Sequence, residues 1–476
     1  MRIIVKGLKS SYEPEHLARV FYPSARISTE KLCKDDIIFV RLGTISALAA
    51  VRIGGVLHYT RTCIKDAQDK QFALAQQLYR LLSSVTGIVP KWGLLTGVRP
   101  VRLVHDLHAS GLSSDEIIAR LHNECFVNKD KIDLSLDIAQ RQIPIIAQSA
   151  DNSYSLYISI PFCPSRCSYC SFVSTSISGA AKLIEPYVDK LCLEIKDTAD
   201  MAKQNKLKLE TIYIGGGTPT AVSAQQLRRI LAAVKASFDI ANVCEYTVEA
   251  GRPDCTTREK LDIIKEYGAT RISINPQTMC DSVLAAIGRK HTAEDIISCY
   301  DDARKAGHDN INMDIIAGLP TDTVNGFGYS LDKVISLAPE NITVHTLTLK
   351  RASNIVIKHT DTQYADVEQM LNYTKKLANY DYKPYYMYRQ KNTLQSLENT
   401  GFSKAGYECL YNVYIMEEIH SILAVGAGGS TKLCGHNGRI ERIFNYKYPT
   451  EYVNQFDKLL EKKKGVNDFY AGNMDT

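Results

Sequence analysis

Three thiols, Cys163, Cys167 and Cys170, stand at C-x3-C-x2-C spacing in Leu156-Tyr-Ile-Ser-Ile-Pro-Phe-Cys-Pro-Ser-Arg-Cys-Ser-Tyr-Cys170, directly after a β-branched run. A tight loop at the end of a strand lets three thiolates converge on one [4Fe–4S] cluster, one short of the four that an electron-transfer cluster takes. The fourth iron is then open to a chelating substrate, and the amino and carboxylate groups of S-adenosylmethionine (SAM) suit it. One-electron reduction of that sulfonium releases a 5′-deoxyadenosyl radical, so the triplet points to radical chemistry. Structural zinc is the rival reading. Zinc needs four ligands in a closed site, usually as paired knuckles, and no second knuckle follows at a plausible distance.

Further polar residues recur where β-branched runs end. Gly215-Gly-Gly-Thr-Pro-Thr220 closes one such run; consecutive glycines permit positive φ and close backbone approach, so their amides and carbonyls can meet a nucleotide-like ligand. A glycine turn after a strand is most often only a turn, but this one follows the cysteines by some fifty residues. Glu249 ends the next run, in Thr247-Val-Glu-Ala-Gly-Arg-Pro253. A carboxylate there can accept hydrogen bonds from ribose hydroxyls, with a solvated ion pair as the plainer alternative. Gln277 in Asn275-Pro-Gln277, Arg289 in Arg289-Lys-His291 and Asp314 in Asp314-Ile-Ile-Ala-Gly-Leu-Pro320 complete the series. Any one of them can be a surface polar residue; the array at consecutive strand ends is harder to dismiss.

The elements that must position these residues follow from the periodicity. From Leu156 onward, short runs at 156–160, 211–214, 246–249, 271–274, 312–316 and 342–347 alternate with amphipathic segments at 181–203, 224–237, 256–267 and 293–306. Six βα units predict an incomplete parallel barrel, in which functional residues sit at the C-terminal strand ends. The expected fold is α/β: a partial (β/α)6 TIM-like barrel over 151–350, an N-terminal α+β domain over 1–150 and a C-terminal α/β extension over 351–476 that covers substrate. In the first domain, runs at 2–5, 36–42, 47–53 and 56–61 predict a small antiparallel sheet, followed by helices near 71–85 and 114–122. Ser113 and Glu116 have capping-box spacing, and Gln148–Ser153 reads as a linker. Beyond 350, a long helix near 364–380 and a tyrosine-rich strand at 385–389 are expected.

Composition sets the class. Of the 476 residues, 45% are hydrophobic and 23% charged, as in ordinary globular proteins, and the net charge of +5 comes without a lysine or arginine run that would track a phosphate backbone. Nucleic acid is therefore not the expected partner. The first residues carry no signal-type apolar core and no uncharged stretch of membrane-spanning length occurs, so a cytoplasmic location without stable membrane insertion is expected. The chain has 13 cysteines; the ten outside the triplet, at 33, 63, 125, 192, 244, 255, 280, 299, 409 and 434, lie mostly in apolar contexts and read as reduced core residues.

Together, Tyr157-Ile-Ser-Ile-Pro-Phe-Cys163, Cys167-Ser-Tyr-Cys170, Gly215-Gly-Gly-Thr-Pro-Thr220, Gly288-Arg-Lys-His291 and Met313-Asp-Ile-Ile-Ala-Gly-Leu-Pro320 resemble the radical SAM superfamily, and within it the oxygen-independent coproporphyrinogen III oxidase group. Trp92-Gly-Leu-Leu-Thr-Gly-Val-Arg-Pro100 and Tyr386-Met-Tyr-Arg-Gln-Lys-Asn392 resemble segments of the HemZ-type branch. The resemblance implies that Cys163, Cys167 and Cys170 ligate a [4Fe–4S] cluster and that Gly216, Gly217 and Thr218 contact the methionyl part of S-adenosyl-L-methionine. It makes Glu249, Gln277, Arg289 and Asp314 the polar SAM-site positions and places Tyr157 near cluster and SAM. The implied reaction is the oxidative decarboxylation of two coproporphyrinogen III propionates to vinyls, giving protoporphyrinogen IX in haem biosynthesis, with an electron donor and an acceptor as partners. Arg99, Arg289, Arg389 and Lys391 are the candidate propionate anchors, and Trp92 and Arg102 share the segment of Arg99. Two segments depart from the group. Ser171-Phe172 stands where dehydrogenases of the group often have a further cysteine, a pattern shared with the related haem-chaperone branch; Cys409-Leu-Tyr-Asn-Val-Tyr414 lacks the histidine and tryptophan of that branch. A haem-binding chaperone-like protein is thus the alternative.

Overall fold

The computed structural model describes residues 1–22, 36–97, 99–170, 175–350, 353, 364–435 and 438–471; Cys33, Ser171 and Phe172 lie outside them. By internal contacts the chain divides into two units, residues 1–139 with 388–398, and residues 140–387 with 399–476.

In the first unit, β1 (Arg2–Lys6), β2 (Ile37–Leu42), β3 (Ser46–Ile53) and β4 (Val56–Cys63) form a four-stranded sheet in that order. The expectation of an all-antiparallel sheet fails at its first pair: β1 runs parallel to β2, while β2, β3 and β4 are antiparallel. The cause lies between the first two strands, where Tyr12–Phe21 forms a helix, the crossover that a parallel pair requires. That helix and the helix Lys70–Thr86 bury Leu17, Phe21, Leu74, Leu78 and Leu82 against Ile38, Val40, Ala49 and Val51. The Asp69 carboxylate accepts from the Gln71 and Phe72 N–H groups at the start of the second helix. The Ser113–Glu116 capping box is present at the helix Ser114–Ala119, and Pro100 opens the helix Pro100–Ala109.

The second unit is built on one sheet. β5 (Ser153–Ile160), β8 (Lys208–Gly216), β9 (Glu245–Glu249), β10 (Arg271–Ser273), β11 (Ile311–Ala317) and β12 (Asn341–Thr346) lie side by side in sequence order, all parallel. These are the six expected strands. Leu156, Ile158, Ile212, Ile214, Val248, Ile272, Ile315 and Val344 are buried along them, as in a sheet with both faces covered, and helices such as Ile177–Gln204, Ala224–Ser237 and Ala293–Lys305 lie between. The architecture is a partial (β/α)6 barrel.

The C-terminal region lengthens the sheet at both edges rather than forming a layer of its own. β14 (Glu398–Ser403) pairs antiparallel with β12 and carries β13 (Lys383–Arg389) outside it. On the other side, β15 (Ser421–Val425) lies parallel to β5, followed by antiparallel β16 (Ser430–Cys434) and β17 (Ile440–Phe444). The single long helix expected near 364–380 is replaced by a short α-helix, Val367–Asn372, and a 3-10 segment, Tyr373–Tyr380. The cysteine expectation also needs correction: Cys125, Cys299 and Cys409 are buried, but Cys63 and Cys244 are exposed. Among the described residues, no helix is long and apolar enough to cross a membrane.

Candidate functional site

β5 ends at Ile160, and the chain turns through Pro161 into the short strand β6 (Phe162–Cys163), which pairs with β7 (Thr175–Ser176). The glycine turn at the end of β8 holds this corner. Gly217 N–H donates to Ile160 O at 2.8 Å and Thr218 N–H to Phe162 O at 2.7 Å. A Cβ on Gly217 would stand 2.6 Å from Phe162 O, and Gly216 has φ +108°, so only glycines let β8 end this close to the cysteine loop. Thr218 completes the contact, its hydroxyl donating to Cys163 Sγ at 3.5 Å.

Cys167 is buried and lies among cations. Arg252 Nη1 donates to Cys167 Sγ at 3.8 Å and to Ser165 O at 2.8 Å. Arg289, after a short helix beyond β10, also approaches the Cys167 thiol; its Nη1 donates to Asn275 O and its Nη2 reaches the Tyr169 hydroxyl at 3.4 Å. Ser168 N–H donates to Ile287 O, and the Ser165 hydroxyl to Gly288 O. The segment 287–289 thereby braces the cysteine loop. Lys350, beyond β12, is pushed below its ordinary pKa by burial, with the Cys170 thiol pulling the other way. Cationic side chains beside Cys167 and Cys170 fit an anionic iron–sulfur cluster.

The neighbouring strands hold the polar array. Glu249 accepts from the Tyr213 hydroxyl at 2.7 Å. Burial, with Asp314 nearby, pushes its carboxyl up to about 7 against the pull of Tyr213 and Arg271. Asp314 goes the other way. Burial opposes its charge, but His345 Nε2 at 3.6 Å, the Asn312 amide at 2.7 Å and the Arg271 guanidinium outweigh burial and hold it below its ordinary value. Gln277 sits at φ +67° in an isolated bridge to β11, its N–H donating to Asp314 O and its carbonyl accepting from Ile316 N–H, both at 2.9 Å. Tyr157, Tyr213 and Tyr411 stack in a trio, with 4.6 Å between the Tyr213 and Tyr411 ring centroids and 6.2 Å between Tyr157 and Tyr213.

The sequence-derived residues thus fall into connected groups. Cys163, Gly217 and Thr218 meet at the glycine turn; Cys167 and Arg289 meet at the loop; Glu249 at the end of β9 and Gln277 beyond β10 lie beside Asp314, which stands in the middle of β11 and not at its end as expected, because β11 runs on to Ala317. The other proposed anchors have their own partners within the first unit. Arg389 is 7% exposed and donates to the carbonyls of Leu95, Gly97 and Ser396, with its guanidinium 5.1 Å from the Trp92 ring centre; it is neither solvated nor open to a propionate. Lys391 donates to the Tyr12 hydroxyl, Arg99 precedes the helix at Pro100 and Arg102 pairs with Asp106 at 2.9 Å. Arg252, Tyr213, His345, Lys350 and Tyr411 were not singled out from sequence. Arg252 lies three residues after Glu249 at a strand end and was findable by that position; Tyr411 reaches the trio only through the tertiary fold.

Residues 157–334 match the model of the radical SAM superfamily, and the chain is 40% identical over 394 residues to the oxygen-independent coproporphyrinogen-III oxidase-like protein HemZ of Bacillus subtilis, covering 80% of this chain and 78% of that one. The chain belongs to the radical SAM superfamily, in its HemZ-like group. A second relative, the heme chaperone HemW of B. subtilis, is 32% identical over 286 residues, spanning 58% of this chain and 70% of that one. The crystal structure of coproporphyrinogen III oxidase HemN from Escherichia coli shares the fold, with a TM-score of 0.52 at 22% identity over 67% of this chain and 72% of that one. The cofactors of this radical SAM chain are accordingly a [4Fe–4S] cluster and S-adenosylmethionine.

Proposed function

We propose that this radical SAM protein is an oxygen-independent coproporphyrinogen III dehydrogenase of haem biosynthesis, removing two propionate carboxyls to give protoporphyrinogen IX. The observation that carries the reading is the array of Glu249, Gln277 and Asp314 on and after the successive strands β9, β10 and β11, in a chain with a three-cysteine loop that is 40% identical to a coproporphyrinogen oxidase-like protein. Cys163, Cys167 and Cys170 would hold the cluster; Gly216, Gly217 and Thr218 would face the methionyl part of SAM, Glu249 its ribose, and Gln277 and Asp314 its other polar groups. When bound, cluster and SAM supply one-electron, hydrogen-abstracting chemistry. The chain's own residues orient and exclude. The Tyr157, Tyr213 and Tyr411 rings form an apolar wall, and Tyr213 fixes the Glu249 carboxylate. Arg289 secures the loop through Tyr169 and Asn275.

The chaperone reading is favoured by one observation, the identity to HemW proteins. Anaerobic incubation of the reconstituted protein with reductant, SAM, coproporphyrinogen III and an electron acceptor, followed by mass spectrometry, separates the two. Loss of two carboxyls together with 5′-deoxyadenosine release is expected. Unchanged tetrapyrrole beside stoichiometric haem binding overturns the dehydrogenase reading in favour of the chaperone.

A further inference from the structure

We propose that Arg252 is a positioning residue for the cysteine loop and sets the reduction potential of the cluster, an inference that rests on Cys167 being one of its ligands. Arg252 follows β9 in Gly251-Arg-Pro-Asp254. The 3-10 turn Pro253–Cys255 folds Asp254 back onto it. Nε donates to Asp254 Oδ1 at 3.0 Å and Nη2 to Oδ2 at 2.6 Å, a fork-to-carboxylate pair that fixes the guanidinium plane. The side chain is 5% exposed. With one edge held, the remaining N–H groups reach the loop: Nη1 to Ser165 O at 2.8 Å and Cys167 Sγ at 3.8 Å, Nη2 to Ser165 Oγ at 3.0 Å.

One side chain therefore grips the loop on both sides of Arg166 and also places a positive charge at a ligand sulfur. Hydrogen bonds to the sulfurs and local charge tune the potential of an iron–sulfur cluster. Reduction adds one negative charge to the cluster, so a cation at the thiolate favours the reduced form and raises the potential. Asp254 does not cancel this effect, because its oxygens bind the Nε–Nη2 edge while Nη1 faces the sulfur, and Coulomb energy falls with distance. Asp254 and Arg252 should hence act on the cluster with opposite signs. A residue that merely held the loop in shape would have no such antisymmetry.

The test uses anaerobically reconstituted full-length wild type, Arg252→Met, Arg252→Lys and Asp254→Asn, with iron and sulfide analysis and EPR-monitored redox titration without SAM. Arg252→Met is expected to keep its iron and to show an about tenfold lower ratio of reduced to oxidised cluster at the wild-type midpoint, a downward shift of about 59 mV for one electron. Arg252→Lys should stay closer to wild type, and Asp254→Asn should move the midpoint upward. A full cluster at an unchanged midpoint in Arg252→Met overturns the inference, as do downward shifts of equal size in Arg252→Met and Asp254→Asn. If Arg252→Met holds no cluster, retention in Arg252→Lys supports a charge-bearing positioning role; loss in both shows a purely structural residue and overturns it. Wild type that takes up no iron removes the ligand assignment itself, an outcome distinct from any shift in midpoint.

Discussion

At the scale of single residues, the two carboxylates of the candidate SAM site are opposites. Glu249 is raised to about 7 from an ordinary 4.5, by burial first, while Asp314 is held down despite burial. Below the ordinary value Glu249 is protonated in the folded and unfolded chain alike. Between 4.5 and about 7 the folded chain keeps a proton that the unfolded chain releases, so stability falls as pH rises through this window and the full penalty is present above it. Glu249→Gln should therefore unfold at higher denaturant than wild type at about pH 8, by about 1–3 kcal/mol, and match it near pH 4. Equal stability at both pH values would show that Glu249 carries no such penalty. For ligand binding the expectation reverses. Glu249→Ala and Asp314→Ala should each weaken SAM binding by about 1–3 kcal/mol, the cost of leaving a buried polar partner unsatisfied, with iron content unchanged; calorimetry on the reconstituted protein reads both.

At the scale of elements, the site depends on how closely the end of β8 approaches β6. The space at Gly217 is limited by backbone, with Phe162 O at 2.6 Å and Phe162 N at 2.9 Å from a built Cβ. No side-chain rotation relieves that contact. Gly217→Ala must push the cysteine loop away from the glycine turn and break the 2.7 Å bond from Thr218 N–H to Phe162 O. The variant should fold, judged by far-UV circular dichroism, but bind iron several-fold less well after reconstitution, since cluster ligation needs the loop in place. Normal iron content would show that the loop tolerates displacement.

At the scale of the molecule, residues 388–398 belong by contacts to the first unit although most of the chain around them belongs to the second. Glu398 accepts from Trp92 Nε1 at 2.8 Å and pairs with Lys131 at 2.5 Å, with its side chain 5% exposed. Removing one partner of a buried pair costs about 3–5 kcal/mol because the other charge is left uncompensated. Trp92 is the sole tryptophan of the chain, so its emission reports on the first unit alone. Glu398→Ala should red-shift that emission and move its urea transition to lower concentration than the transition seen by circular dichroism. Coincident, unshifted transitions would count against this account of the segment.

Much of the site was legible in the sequence because its signals are local. The cysteine spacing, the glycine triplet, and Glu249, Gln277 and Asp314 on or after β-branched runs are set by neighbours along the chain, and the six parallel strands follow from the alternation of two periodicities. The sequence also placed the helix start at Ser113, where capping is a matter of a few residues. What needed the tertiary structure depends on long-range partners. The parallel pairing of β1 with β2, the continuation of the sheet through β13 to β17, the burial of Arg389 under backbone carbonyls, the tyrosine trio with Tyr411 and the convergence of Arg252 and Arg289 on Cys167 join residues distant in sequence. A charged residue at a strand end has the same local pattern whether it meets solvent, a carboxylate or a thiolate; only packing decides which, by setting the burial and the partner that fix its charge.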